Sequence, residues 1–369
     1  MIPSLLPTFN TKDVQYLVNN FQYFNDNKFL FGRLFPSKQR VTLTWAAVEG
    51  AIGKNIIANV VARGASIHMN KRPDASKITG DIPKIAIGRG MDENDLYEYR
   101  ALLAMNAGNP AGVQFVKDWA DDYKYGYQGV MGRLEWMAMQ SISLGKFVFT
   151  ATNNNGLITE TPIDYQLDSE QLIGVNTAFY ASGTNGKPFT IDFLNAIEIA
   201  ESRGFEINVV RMNRNTWARF VQQDEVKNFC ATFMQNVTNT QNTPSLASVN
   251  AYLGAHADLF GDMRIEVVPS KSIIELADGQ QTKVTNFADN VIGFYTDGAI
   301  GDTMWVRPVD MDVVDPSVKS FRELMMFKHY ATTDPVDERT IAISNAFPVW
   351  NQAPNCVLMD TSNTSWNHA

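Results

Sequence analysis

The chain has 369 residues, of which 45% are apolar and 19% charged, with a net charge of −8. That is ample apolar material for a large core, and the negative balance argues against a protein built to grip nucleic acid, which works by neutralising phosphates. Low charge with 22 Phe, 15 Met and 7 Trp fits either an extensive core or extensive contacts between subunits.

Residues 1–35 are polar and aromatic. They read as an arm, with a short helix expected over Asp13–Phe21, and the arm packs either on a neighbour or on its own domain. The opening "MIPSLLPTF" is too short for a secretory signal and lacks a basic start. No run of about 18 apolar residues follows anywhere, so a soluble chain made in a cytoplasm, without a membrane span, is expected.

From Lys38 the character changes. "RVTLTWAAV" alternates Val41, Leu43 and Trp45 with polar residues, as a half-buried strand does, and "NIIANVV" and "KIAIGRG" are further strand candidates. Between them lies the polar "ARGASIHMNKRPDASKITGDIP". A strand out, a polar tip and a strand back describe an extended two-stranded loop, which is marginal alone in water. Its basic residues Arg63, Lys71, Arg72 and Lys77 are candidate contacts to an acidic neighbouring subunit, or else a solvated tip. "GRGMDENDL" then reads as an acidic turn and matches no dinucleotide fingerprint.

One long helix is expected over 109–145. Asn109 is a good cap, and Pro110 is tolerated in the first turn. Val113, Val116, Ala120, Tyr123, Tyr127, Val130, Leu134, Met137 and Ile142 recur at steps of mostly three and four, and Gly145 supplies a stop. Unbroken, the rod is about 50 Å long at ~1.5 Å per residue. Gly126, Gly129 and Gly132 predict a bend, or close approach of another backbone.

After the rod, "FVFTAT" and "GLITETPIDY" are strand-like. Thr190 is expected to cap a helix that stops at Gly204, "FEINVVRM" is a buried strand, and a helix starts after Asn215. "EVKNFCATFMQNV" extends the helical region. "MRIEVVPS", "SIIEL", "QTKVTNF" and "NVIGFYTDG" are strands, "SVKSFRELMMFKHYA" a helix, and "RTIAISNAFPVW" and "NCVLMDT" closing strands. The fold class is α+β, with residues 205–325 as an α/β insertion in a flatter platform.

The search for chemistry finds none. "GTNGKPFT" fails the phosphate-loop spacing, with Ala181 where glycine is needed and Pro188 in place of Ser or Thr. Asp118, Asp121 and Asp122 either hold a divalent ion or form a solvated helix start. His68, His256, His329 and His368 lack ligand spacing, and Cys230 and Cys356 match no metal, disulfide or catalytic pattern. No catalytic, cofactor-binding or metal-binding residue is expected.

The order of parts resembles the major capsid proteins of tailed bacteriophages, with the HK97 fold. It is most similar to the lambda-type family known as major capsid protein E. "FLFGRLFPSKQRVTLTW", "RGASIHMNKRPDASKITGDIPKIAIGRGMDENDL" and "TTDPVDERTIAISNAFPVWNQAPNCVLMDT" carry the resemblance. It implies an N-terminal arm at 1–35, an extension loop at 38–90 and a spine helix at 109–145. The peripheral domain would comprise 91–204 and 326–369, and the axial domain 205–325. It also implies self-assembly into hexamers and pentamers of an icosahedral shell around double-stranded DNA, without sequence-specific binding. A separate scaffolding protein, a portal and a decoration protein would be partners, in a virion capsid assembled in the host bacterial cytoplasm. Lys71 and Lys77 lie in the loop that crosslinks subunits in some relatives. An encapsulin-like compartment, a phage tail protein, and an enzyme using Asp118, Asp121 or Asp122 are the alternatives.

Overall fold

The computed structural model describes residues 29–49, 76–106, 108–110, 121–154, 158, 163–179, 184–233, 243–268, 271–275 and 280–368. In chain order, α1 (Phe31–Leu34) leads to β1 (Ser37–Gln39), β2 (Thr44–Glu49), β3 (Ser76–Asp81) and β4 (Lys84–Asp92), then α2 (Glu93–Met105) and the long helix α3 (Asp122–Leu144). Next come β5 (Lys146–Phe147), β6 (Ile163–Asp164), β7 (Leu172–Gly174), α4 (Phe193–Arg203), β8 (Val209–Asn213), α5 (Arg214–Phe220), α6 (Asp224–Phe233), α7 (Leu246–Ala255) and α8 (Ala257–Phe260). The rest is β-structure: β9 (Arg264–Val268), β10 (Lys271–Glu275), β11 (Gln281–Thr285), β12 (Val291–Tyr295), β13 (Gly301–Val306), β14 (Val318–Arg322), β15 (Met325–Thr333), β16 (Val336–Trp350) and β17 (Cys356–Asp360).

Two sheets form the body. The six-stranded platform sheet runs β1-β13-β16-β15-β14, with β4 also pairing with β16. The five-stranded sheet runs β7-β17-β12-β8-β9. β16 organises the first, pairing with β15 from Val336, with β4 from Asp337 and with β13 from Asn345 to Trp350. Pro348 lies in that last stretch, where only β13 pairs with β16, so its missing N–H breaks no ladder. Its partner Thr303 donates its amide to Pro36 O at 2.8 Å instead.

α3 lies across β16 and β4 and meets them at its glycines. A Cβ on Gly126 would stand 2.8 Å from the Ala342 Cβ, and one on Gly129 would stand 2.6 Å from the Ile87 Cδ1. The neighbours that come close at these two positions are side chains rather than the expected backbone, and Gly132 has nothing within 4 Å of its Cβ position. Toward its end α3 is buried nearly all round, and Leu134, Met137, Ala138, Met139 and Ile142 are fully buried. Gly145 ends it in the left-handed region at φ 71°.

Several expectations are corrected. The rod is not one helix over 109–145: Asp121 is non-helical, and its side chain caps α3 by accepting from the Lys124 amide. Residues 111–120 and the expected helix at Asp13–Phe21 lie outside the described residues. The acidic turn is instead the start of α2, closed by a capping box between Asp92 and Asp95. Thr190 does not cap α4. It lies in a π-helical turn, Pro188–Asp192, that runs into the helix, and its hydroxyl donates to Glu225. α5 is capped by Asn213 rather than started after Asn215. "SVKSFRELMMFKHYA" is the β14–β15 hairpin, because pairing with β16 decides it.

Two hydrophobic clusters result. One gathers α1, α3, β12, β13 and β15–β16, including Val268, Phe287, Tyr295 and Met304. The other gathers Val175–Phe205, α5–α8 and the facing residues of β8, β9, β12 and β17. The five-stranded sheet therefore turns one face to each cluster, and segments on both sides of residue 205 enter the second.

Candidate functional site

The parts that leave the body are the N-terminal approach and the β2–β3 ribbon, and each is anchored by aromatic packing. Trp45 is 2% exposed and stacks on Phe347 at 5.1 Å and on Tyr165 at 6.2 Å. Its cross-strand partner is Gly80, where a Cβ would stand 2.8 Å from the indole. Glycine is what lets the ring lie flat over β3. The Ile82 amide closes the base by donating to Leu43 O at 2.7 Å.

The approach from the N-terminus is seated by Phe31, Leu34 and Phe35 in the first core. The Phe31 amide donates to Glu135 Oε2 on α3 at 2.8 Å. One residue pair further, Arg33 meets Glu266 on β9 at 2.9 Å. Glu266 also takes Arg211 at 3.1 Å, and Arg264 beside it pairs with Asp297 at 2.7 Å. Arg211 is buried over the Tyr295 ring, and the Tyr295 hydroxyl donates to Ile142 O of α3 at 2.5 Å. Burial pushes the Arg211 guanidinium down and the Tyr295 phenol well up. This chain of contacts ties the arm base, α3 and the second sheet together.

A buried polar cluster lies under the start of α3. His329 contacts Thr340 through Nδ1 and Glu338 through Nε2, each at 2.8 Å. Burial raises Asp122 to about 6, with Arg89 and His329 opposing. His329 and its two partners are each under 5% exposed, so the group braces the sheet rather than facing solvent.

The sequence-singled residues fall as follows. Arg63, Lys71 and Arg72 lie outside the described residues, and Lys77 sits in β3 opposite Val48. Asp118 also lies outside, while Asp121 caps the helix and Asp122 is buried, so these two do not build a cation site. Among the described residues no group of three or more His, Cys, Asp or Glu is placed to hold a metal. The glycine turn before Pro188 is tied to α6: Gly186 N donates to Gln223 and Thr184 pairs with Asp224. No described helix is long and apolar enough to cross a membrane.

Exposed aliphatics gather at one corner of the platform. Val41 is 97%, Val309 74% and Val314 100% exposed. The Arg40 amide on Trp305 O and the Lys84–Asp310 pair at 3.0 Å bring their segments to the same sheet end. Sequence reading placed Val41 and Leu43 in a half-buried strand, whereas they form the exposed bend before β2.

A body of two sheets crossed by a long helix, with an arm approach and a ribbon leaving it, is the α+β architecture of HK97-type capsid proteins. A crystal structure of a candidate prophage capsid protein from E. coli CFT073 has this fold. It aligns with a TM-score of 0.55 at 13% identity, covering 95% of this chain and 99% of that one. The cyanophage A-1(L) capsid asymmetric unit aligns at 0.49 and 11% identity, covering 90% of this chain and 92% of that one. No curated protein sequence matches. The chain belongs to the phage major capsid protein E family, whose model matches residues 16–359. It is a shell-forming structural protein of the phage capsid.

Proposed function

We propose that copies of this chain assemble as hexamers and pentamers into an icosahedral shell that encloses double-stranded DNA without reading its sequence. The carrying observation is the family match, which spans the ribbon, the long helix and both sheets. Assembly takes place in the host bacterial cytoplasm, with a separate scaffolding protein, a portal and a decoration protein as partners, and the chain performs no catalysis. Residues 1–35 act as the arm, 38–90 as the extension loop and the long helix Asp122–Leu144 as the spine. The peripheral part is 91–204 with 326–369, and the axial part is 205–325. The two-stranded ribbon supports this reading, since such a ribbon needs a surface to lie on. Its basic residues Arg63, Lys71, Arg72 and Lys77 contact an acidic neighbouring copy, a pairing the net charge of −8 favours.

Negative-stain electron microscopy of the purified chain, after sizing on a column, tests the reading. Closed shells, or free hexamers and pentamers, are expected. Open tubes or rings would point to a tail component, and a discrete monomer or dimer would overturn the proposal.

A further inference from the structure

Glu135 is the acidic residue most at odds with its surroundings. It lies in the buried part of α3 between Leu134 and Trp136, and is 4% exposed. The α1 turn packs against α3, and Phe31, Leu34 and Phe35 are each no more than 2% exposed. Oε2 accepts the Phe31 amide at 2.8 Å, and the Leu30 amide also faces the carboxyl. Oε1 is buried and has no hydrogen-bond partner among the described residues. The charged groups on the elements packed there are engaged elsewhere. Arg33 pairs with Glu266, Arg133 donates to Asn153 O, and Lys38 pairs with Asp302, which also takes Asn351.

An ionised carboxyl in this place is offset by amides alone. A neutral one leaves at most an O–H without an acceptor, which is the smaller cost. Lifting the Phe31–Phe35 turn away exposes the carboxyl to water and removes the cost of the charge. We propose that Glu135 is a proton-operated clasp on the arm base: neutral, it keeps the Phe31–Phe35 turn seated on α3, and ionised, it favours release of that turn. This goes beyond shell building, because it gives the N-terminal approach a condition under which it loosens.

The sign follows from linkage. Burial, opposed by the Phe31 and Leu30 amides, pushes the seated carboxyl up from 4.5 to about 7. The seated form therefore holds its proton more tightly than the released, hydrated form. Seating is fully favoured below the ordinary glutamate range. It weakens by up to about tenfold per pH unit as pH rises, and levels off above the seated value.

Amide hydrogen exchange on the full chain tests this, with rates corrected for the intrinsic effect of pH. Between pH 5 and pH 8 the protection of residues 31–35 is expected to fall by one to two orders of magnitude, by the same linkage. Protection of β17 should stay constant. Glu135→Gln should make the 31–35 response flat with pH, and Glu135→Met serves the same purpose if the amide variant does not fold. A flat wild-type response, a loss shared equally by β17, or a pH response that survives in the non-titrating variant would each overturn the clasp.

Discussion

Gly126, Gly129 and Gly132 are alike in sequence and unlike in place. The first faces the backbone-fixed Ala342, the second faces the tip of Ile87, and the third faces open space. The same change to alanine therefore has three outcomes. Gly126→Ala forces α3 off β16 and is expected to cost about 1–3 kcal/mol. Gly129→Ala is expected to cost less, because the nearest atom is the end of the Ile87 side chain, which turns about its own torsion, whereas the Ala342 methyl moves only with the main chain. Gly132→Ala gains up to ~1 kcal/mol, since only helix propensity changes. Urea midpoints for the three variants check the order, and equal effects at all three would show that packing against the sheet does not set the glycine pattern.

At the scale of elements, Trp45 anchors the β2–β3 ribbon among its described side chains. Trp45 is its described residue in the first core, stacked on Phe347 and Tyr165. Trp45→Ala is expected to lower stability by about 3–5 kcal/mol. It should also raise amide exchange in Ser76–Asp81 well before β17 responds, and a uniform rise would mean that the ribbon has no separate anchor. Such elements differ in how far the sequence discloses them. The C-terminal part of the long helix, its Gly145 stop and the strand β16 are legible, because apolar spacing and terminator residues agree with the packing. The β14–β15 hairpin is not. Val318, Phe321, Leu324 and Met325 keep helical spacing among good helix formers, while the inward positions Ser320, Arg322 and His329 are polar. A reading by hydrophobic period assigns those three to a surface. Arg322 is buried over Tyr127 of the long helix, and His329 is buried against Thr340 and Glu338 of the adjoining strand β16, contacts that a helical reading of the segment does not offer. Hydrophobic spacing draws no expectation for Glu135, although a lone acid between Leu134 and the Trp136–Met139 apolar run is a signal in plain view.

For the whole molecule, buried carboxyls set an acid-side optimum. Burial, the leading cause in each case, raises Asp122 to about 6, Glu135 to about 7 and Asp192 to about 6. Each is protonated more readily folded than unfolded. Its contribution is thus complete below the ordinary carboxylate range and is lost as pH rises through the folded value. At roughly 1.4 kcal/mol per unit, each group accounts for at most about 3 kcal/mol. Asp360 works the other way. Burial pushes it up, but His368, Asn363 and Ser362 outweigh that and hold it well below the usual range. Its contribution is lost as pH falls through the ordinary aspartate range and below. Between the two, stability should peak near about pH 4–5 and fall steadily toward pH 8. Urea midpoints of the full chain at pH 4.5, 6 and 7.5 follow the fall. Replacing Asp122 with Asn, Glu135 with Gln and Asp192 with Asn together should flatten that side of the profile and leave the acid limb in place. If the alkaline fall survives the triple replacement, some other ionisation carries it and these three carboxyls are already hydrated in the folded chain.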